Sequence, residues 1–479
     1  MSEETYDDVV IGLEIHIHLN KLKTKLFCGC STDYHSAQPN TYTCSICLGH
    51  PGTLPVLNKN AIETAIKLAL ALKCKISPLQ YFYRKNYFYP DMSKNFQISQ
   101  YNKGGGVPFG NGGEVLIQIG DEKKVIPLDR IHLEEDPGKL VHQGSVETSP
   151  YTLVDYNRNG VALIEIVTTP CMKSPKEARA YCNKLKSILV YADINDPSEE
   201  GAFRVDANVS IKGHERVEVK NIGSVKDVEK ALHAEIKRMR KAIQKGQTIT
   251  RDTRHFDGEK TILLRSKEQE DDYRYFPEPD LTKFEVTEDM IKKVKKTLLE
   301  LPDDRKERFI KDYGMNTYDS EVLIQDKALA DFFEQTIKQY NNPKEVVNWL
   351  INDVMGYLND NDLELKKTKF TVRNFVRLLK MIDEEKFTKK VGKQILKDVI
   401  NGKNPESLAE SKKLEKISDE ALLSKLCDEV IAENQDVVQK LATKPKAFQA
   451  LVGEVMKKTK GMADYTLTQD ILKKKLNLQ

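Results

Sequence analysis

The sequence predicts an α+β chain: one domain built on a mixed or antiparallel sheet, followed by two all-helical modules. Three observations predict it. Segments that alternate apolar and polar residues recur from Val9 to about residue 285. Beyond residue 286 they give way to Lys/Glu-rich segments with apolar residues at helical spacing, such as KALADFFEQTIKQY and VRNFVRLLKMID. Asn401-Gly402, then Lys403-Asn404-Pro405, reads as a linker. The expected domains are residues 1–286, 287–403 and 404–479.

The first element is the strand Val9–Asn20, VVIGLEIHIHLN. Successive side chains point to opposite faces of a strand. Leu13, Ile15, Ile17 and Leu19 share one face; Gly12, Glu14, His16 and His18 share the other. Residues 21–57 form a loop-rich excursion, and KNAIETAIKLALALK (59–73) is a helix. Aromatic and basic residues interleave in YFYRKNYFYPDMSKNFQISQY (81–101), and KGGGVPFGNGG is too glycine-rich for a regular element. Strands follow in VLIQIG, KVIPLDRIHLEED, LIEIVT, FRVDANVSI and VEVKNIG. The helix KSPKEARAYCNKLKSILVYAD interrupts them, with Pro175 in its first turn. A second helix, VKDVEKALHAEIKRMRKAIQKG, ends at Gly246 and precedes ITRDTRHFD, KTILLRSK and DDYRYFPEPDL.

Composition narrows the class. The 479 residues are 39% hydrophobic and 31% charged, with a formal net charge of +3. Bulk charge therefore gives no reason to invoke nucleic acid. The stretch from Lys444 to Gln479 does, with eight lysines against three acids; a solvated helix end is the alternative. No apolar run is long enough to cross a membrane, and the acidic start MSEETYDDVV resembles no leader peptide, so a cytoplasmic protein is expected; an organellar protein whose leader was removed is the alternative.

Four of eight cysteines cluster as Cys28-Gly-Cys30, thirteen residues, then Cys44-Ser-Ile-Cys47. Two such knuckles close a tetrahedral thiolate site, so a structural zinc is expected, stapling the loop 28–47. Four cysteines leave no open position for catalysis.

The strands carry a second pattern. Ile131, Leu133 and Glu135 alternate with His132, Glu134 and Asp136. Glu165 sits within the apolar run VALIEIV. Arg204, Asp206, Asn208 and Ser210 share a face, as do Glu218 and Lys220. If these faces line one sheet surface, many carboxylates gather in a basin, and a divalent cation such as Mg²⁺ relieves their repulsion. The alternative is a sheet with one solvated face, against which Glu165 in its apolar run argues. There is no Walker A or G-x-G-x-x-G motif, so phosphate would be held by side chains: Arg84, Lys85, Lys94, Lys220, Arg254 and Arg274 are available. The aromatic–basic segment could equally be core with snorkelling cations. Neither G-x-S-x-G nor a Ser-Ser-Lys amidase pattern is present.

Long motifs carry a resemblance. VIGLEIHIHL, GHPGTLPVLN, RKNYFYPDMSKNFQISQYN, HLEEDPGKL, VDYNRNGVALIEIVT, EEGAFRVDANVS, EVKNIGSV, DDYRYFPEPDL and LVGEVMKKTKG run nearly collinear with the B-subunit family of the tRNA-dependent aspartyl/glutamyl amidotransferases. The resemblance implies a glutamine-synthetase-like cradle, a helical domain and a YqeY-like helical tail that touches tRNA. It implies ATP-dependent phosphorylation of the side-chain carboxylate of Glu-tRNA(Gln) or Asp-tRNA(Asn). Ammonia from a glutaminase A subunit then gives the amide, with a small C subunit completing the complex. Carried over residue by residue, it assigns catalysis to Glu14, His16, Glu135, Glu165 and Asp206, with His16, Glu135 and Glu165 holding magnesium. The expected ATP contacts are Arg84, Lys85, Lys220, Arg254 and Arg274, and the expected tRNA contacts Lys457, Lys458 and Lys460. Val161-Ala162 departs from the Thr-Pro common in the family, and only some members have the zinc cysteines. A decayed tRNA-binding scaffold would not need the acids, and a ligase for a free amino acid would not need the basic end.

Overall fold

In the computed structural model the described residues are 6–103, 105–144, 149–266, 270–412, 416–441 and 447–478. They form two compact units, Met1–Pro302 and Asp303–Gln479.

The elements that build the first unit are, in order, β1 (Val9–His18), α1 (Lys59–Ala71), β2 (Tyr83–Asn86), β3 (Phe96–Ser99), β4 (Glu114–Ile119), β5 (Glu122–Glu135), β6 (Ala162–Thr168), α2 (Pro175–Tyr191), β7 (Phe203–Ile211), β8 (Val217–Ile222), α3 (Val225–Gln244), β9 (Asp252–Phe256), β10 (Thr261–Ser266) and α4 (Glu288–Lys295). A 13-stranded sheet runs β10-β9-β8-β7-β1-β6-β5-β3-β2 along its main path and ends on the short strand Phe276–Pro277. The pairs along that path are antiparallel except β8–β9, which is parallel, so the sheet is mixed.

Alternation decides which face is covered. Val9, Ile11, Leu13, Ile15 and Ile17 of β1 are fully buried, as are Val205, Ala207 and Val209 of β7. Against this face pack α2, through Tyr181, Leu185 and Leu189, and α3, through Val228, Leu232 and Ile236. Both helices start where the sequence supplies a cap: the Ser174 hydroxyl accepts from Glu177 N with Pro175 in the first turn, and the Ser224 hydroxyl accepts from Asp227 N. With one face sealed by helices, the polar face of the same strands is free to form a site.

The first core extends past residue 286. Val286 and Val294 are buried in it and Met290 and Ile291 pack against it, so α4 belongs to the sheet domain. The second unit is helical and has two cores. One runs from Phe309 to Leu408 around Trp349, Phe333 and Phe375, and includes a π-helical stretch, Trp349–Val354. The other joins Leu423, Cys427, Val430, Leu451, Val455 and Leu472. The segment 405–412 belongs with the former, because Leu408 is buried there and Arg377 pairs with Glu406. Among the described residues no helix is long and apolar enough to cross a membrane.

Candidate active site and metal centres

The strand registers bring the polar faces together. Glu14 on β1 lies opposite Asp206 on β7, and His16 opposite both Arg204 on β7 and Glu165 on β6. Glu165 in turn faces His132 on β5, and Asn208 faces Glu218 on β8. Cross-strand neighbours lie about 5 Å apart at Cβ, so these side chains share one surface.

At its centre His16, Glu134 and Glu165 each offer a ligand atom, and those atoms lie within 4.8 Å of one another. His16 Nε2 is 3.7 Å from Glu134, and His132 Nδ1 is 3.7 Å from Glu165. Toward β8, Lys220 reaches Asp206 at 3.2 Å and Glu218 at 3.5 Å, while Asn208 donates to Glu14 at 3.0 Å. Burial, then the nearby Glu165 and Glu218 charges, push the Glu14 carboxyl up. Burial also pushes Glu134 up, against the opposing pull of His16. Burial opposes ionisation of Glu165 too, but His132 and His16 outweigh it and hold that carboxyl well below the usual range. Burial works against the Lys220 charge, yet Asp206, Glu218 and Glu14 raise its pKa. One imidazole with two carboxylates, in a crowd of further acids, is a donor set that suits Mg²⁺ or Mn²⁺.

The structure corrects part of the expected site. Glu135 is not on this face. It shares the parity of Ile131 and Leu133, and its carboxylate accepts from Ile98 N at 2.8 Å and pairs with Lys94. Its neighbour Glu134 takes the place beside His16. Arg84 also lies on Glu135's side, where both line one cavity; its guanidinium is held bidentately by Glu278 at 2.8 and 2.9 Å. Arg254 is turned toward α3, 3.5 Å from the buried Glu235 and hydrogen-bonded to Thr261. Arg274 is exposed, 5.6 Å from the Phe88 ring centroid. Of the expected phosphate contacts, Lys220 lies among the acids. Lys85 lies close enough to act on the Glu134 charge, its ammonium 4.9 Å from the Tyr273 ring. Lys457, Lys458 and Lys460 are exposed; Lys458 is paired with Glu433 at 2.7 Å, and Lys457 lies 3.5 Å from Glu454. Lys444 and Lys446 lie outside the described residues.

Sequence reasoning gave no role to His132 or to a buried node at one end of the face. There Asp136, 1% exposed, accepts from His18 Nε2 at 2.6 Å and Arg204 Nη2 at 2.8 Å, and lies at ion-pair distance, 3.2 Å, from Arg158 Nε. Burial opposes the Asp136 charge, but Arg204, Arg158 and His18 hold its carboxyl far below the usual range. The alternation that put His132 and Asp136 on Glu134's face was the available signal.

The cysteine loop forms a second centre. The Sγ atoms of Cys28, Cys30, Cys44 and Cys47 lie within 4.8 Å of one another. Cys44 N donates to the Cys47 sulfur at 3.2 Å, and Lys25, fully buried, places its ammonium 3.7 Å from that sulfur. A hydrogen bond from Cys28, which outweighs burial, and the Lys25 charge lower the Cys47 thiol to about 4. Four thiolates in so small a space would repel; a Zn²⁺ ion and the buried ammonium are the charges that fit them.

Comparison with known families matches both parts of the chain. A profile described as "GatB/GatE catalytic domain" covers residues 9–292, and one described as "GatB domain" covers 331–476. The chain belongs to the GatB/GatE family. Relatives in that family include the B subunit of the aspartyl/glutamyl-tRNA(Asn/Gln) amidotransferase of Sulfolobus acidocaldarius, 49% identical over 98% of this chain and 100% of that protein. Those of Methanosarcina barkeri (46%; 99% and 100%) and Carboxydothermus hydrogenoformans (43%; 98% and 98%) carry the same name. As a member of the GatB/GatE family the chain is an amidotransferase subunit, and its chemistry is carbon–nitrogen ligation.

Proposed function

We propose that the chain activates the side-chain carboxylate of Glu-tRNA(Gln), Asp-tRNA(Asn) or both with ATP, and then amidates it. A carboxylate is a poor electrophile. In this reading its oxygen attacks the γ-phosphorus of ATP, ADP leaves, and an acyl phosphate results. Ammonia then attacks the acyl carbon and phosphate departs, giving Gln-tRNA(Gln) or Asn-tRNA(Asn). The observation that carries the reading is the single sheet face joining His16, Glu134 and Glu165 to Glu14, Asp206 and Lys220.

Phosphoryl transfer asks for positioning and charge neutralisation more than covalent chemistry by the protein. His16, Glu134 and Glu165 would hold a Mg²⁺ ion, which when bound neutralises charge on the transferred phosphoryl oxygens. Glu14 and Asp206 place further negative charge beside that position. Lys220 and Lys85 are the cations suited to phosphate oxygens on this face. Zn²⁺ in the four-cysteine site would fix the loop and stand apart from the reaction. The sheet domain corresponds in this reading to a glutamine-synthetase-like cradle. A glutaminase A subunit would supply ammonia and a small C subunit would complete a cytoplasmic complex; Lys457, Lys458 and Lys460 would face tRNA. The relatives' name, which includes aspartyl/glutamyl-tRNA(Asn/Gln), supports the choice of substrate.

Isotope transfer tests the reading. Glu-tRNA(Gln) or Asp-tRNA(Asn) carrying ¹⁸O in its side-chain carboxylate is incubated with the assembled complex, ATP and ammonium. One ¹⁸O should appear in inorganic phosphate for each amide formed; amide formed without label in phosphate would refute the acyl-phosphate route.

A further inference from the structure

The Asp136 node carries more positive charge than its carboxylate needs. One buried acid is held by two guanidiniums and a donating imidazole. Arg158 gives its hydrogen bonds to the carbonyls of Pro137 at 3.0 Å and Gly138 at 2.7 Å, which fixes it in place beside the carboxylate. Arg204 is anchored by Asp136, and its buried Nε has no hydrogen-bond partner among the described residues. It is the cross-strand neighbour of His16, so it stands one side chain from the metal trio. Glu134 and Asp206 act on it from the acid side of the face.

The cysteine loop reaches this end of the face. Its tip carries Tyr34 and His35, stacked with ring centroids 4.6 Å apart and an interplanar angle of 25°. His35 lies 3.8 Å from Glu199, which accepts from Asn20 at 2.8 Å, just beyond β1. The same 195–202 turn holds the end of β1, because Asn195 donates to the His18 carbonyl at 2.7 Å. Burial, then the Asp136 charge, push the Tyr34 hydroxyl up while Arg158 and Arg204 pull it down, so the ring lies within electrostatic reach of the node. The His35 side chain is 41% exposed, so the stack is accessible from solvent. The acids near the stack include Glu199, facing His35, Glu200, paired with Lys139 at 2.7 Å, and Asp155, whose charge acts on Tyr34.

Aromatic stacks beside arginines hold nucleotides: rings take the base and guanidiniums the phosphate. We infer that Tyr34 and His35, with Arg158 and Arg204, form the binding site for the 3′-terminal nucleotide of the charged tRNA, and that the cysteine loop is stapled in order to carry this stack. The inference rests on the proposed amidation of aminoacyl-tRNA. In that substrate the reacting carboxylate is ester-linked to the terminal ribose through the aminoacyl group, so the terminal nucleotide must settle within a few side-chain lengths of the metal trio. Arg204 meets that requirement through His16. ATP is the other nucleotide in the reaction, and the test separates the two.

The experiment uses the full complex, with ammonium as nitrogen donor, and measures KM for charged tRNA and for ATP separately. Tyr34→Leu and His35→Ala should each raise KM for charged tRNA about tenfold while leaving KM for ATP within about twofold. Tyr34→Phe keeps the ring and should behave as wild type. Zinc content equal to wild type verifies that the loop is intact in each variant. Arg204→Met should raise the same KM; if it fails to fold for want of a partner for Asp136, the ring variants still decide. An active wild type with unchanged KM for tRNA in the ring variants overturns the inference alone, as does a rise confined to KM for ATP. A wild-type complex with no ATP-dependent amidation overturns the parent reading and this inference with it.

Discussion

Two adjacent glutamates show how much chemistry rests on strand parity. Glu134 and Glu135 differ by one position, and so by a face of the sheet. The alternation of Ile131, Leu133 and Glu135 against His132, Glu134 and Asp136 was readable in the sequence, and it favoured Glu134. A family motif of two consecutive acids cannot by itself say which points into the basin, and the expectation built on it fell on the wrong one. That Glu14, His16, Asp206 and Lys220 share a face was legible because each lies on the polar parity of a clear strand, while Glu165 stood out as a lone acid in an apolar run. The side that Arg254 takes was not legible, since which way its short strand turns depends on α3 and Glu235. Glu134→Gln should weaken Mn²⁺ binding to the chain about tenfold or more, and Glu135→Gln should leave it within about threefold, read by titration calorimetry. Charge crowding gives a second prediction. Glu14 and Glu134 are raised above their unfolded values, so each contributes stability that is present at or below about pH 4.3 and is lost as pH rises through its folded pKa. Asp136 and Glu165 are depressed, so their contribution is present above about pH 4 and is lost only on further acidification. Without divalent cations the melting temperature should therefore fall as pH rises above about 5, and Glu14→Gln or added Mg²⁺ should flatten that fall. A melting temperature that ignores both would contradict the crowded basin.

At the scale of elements, the clustering of the four cysteines was legible, because the spacing of such knuckles is a local property. The loop's electrostatics were not. Lys25 precedes the first cysteine by three positions, but nothing local says that its ammonium is buried beside Cys47 and bound to the Tyr42 carbonyl at 2.8 Å. Elemental analysis should find about one zinc per chain. Cys30→Ser should lower both zinc occupancy and melting temperature, while zinc-independent unfolding would exclude a structural ion. The helices were placed well by apolar periodicity; their starts are set by Asn58, Ser174 and Ser224, whose side chains each cap a helix in the structure. The π-helical stretch at Trp349 was invisible, since tertiary packing rather than residue spacing selects it.

For the whole molecule, the change from strand to helical pattern near residue 286 was visible, but the edge of the first core was not. Helix α4 has the Lys/Glu-rich character of the later modules, yet it buries Val294 in the sheet domain. Likewise the Asn-Gly and Pro signals near 401–405 mark a turn, while Leu408 ties the following helix to the preceding core. A chain truncated after residue 415 should therefore keep a cooperative unfolding transition, whereas one ending at 403 should melt lower by exposing that core. If Lys457, Lys458 and Lys460 face tRNA, the truncation after 415 should also raise KM for charged tRNA. The central claim is that one sheet face activates the carboxylate. Its most direct test is ATP-dependent amidation with ammonium, which bypasses the glutaminase, in Glu134→Gln and Glu165→Gln complexes that retain wild-type melting temperature and tRNA binding. Each should lose about 100-fold or more in turnover. Turnover within about threefold of wild type in both would contradict the account.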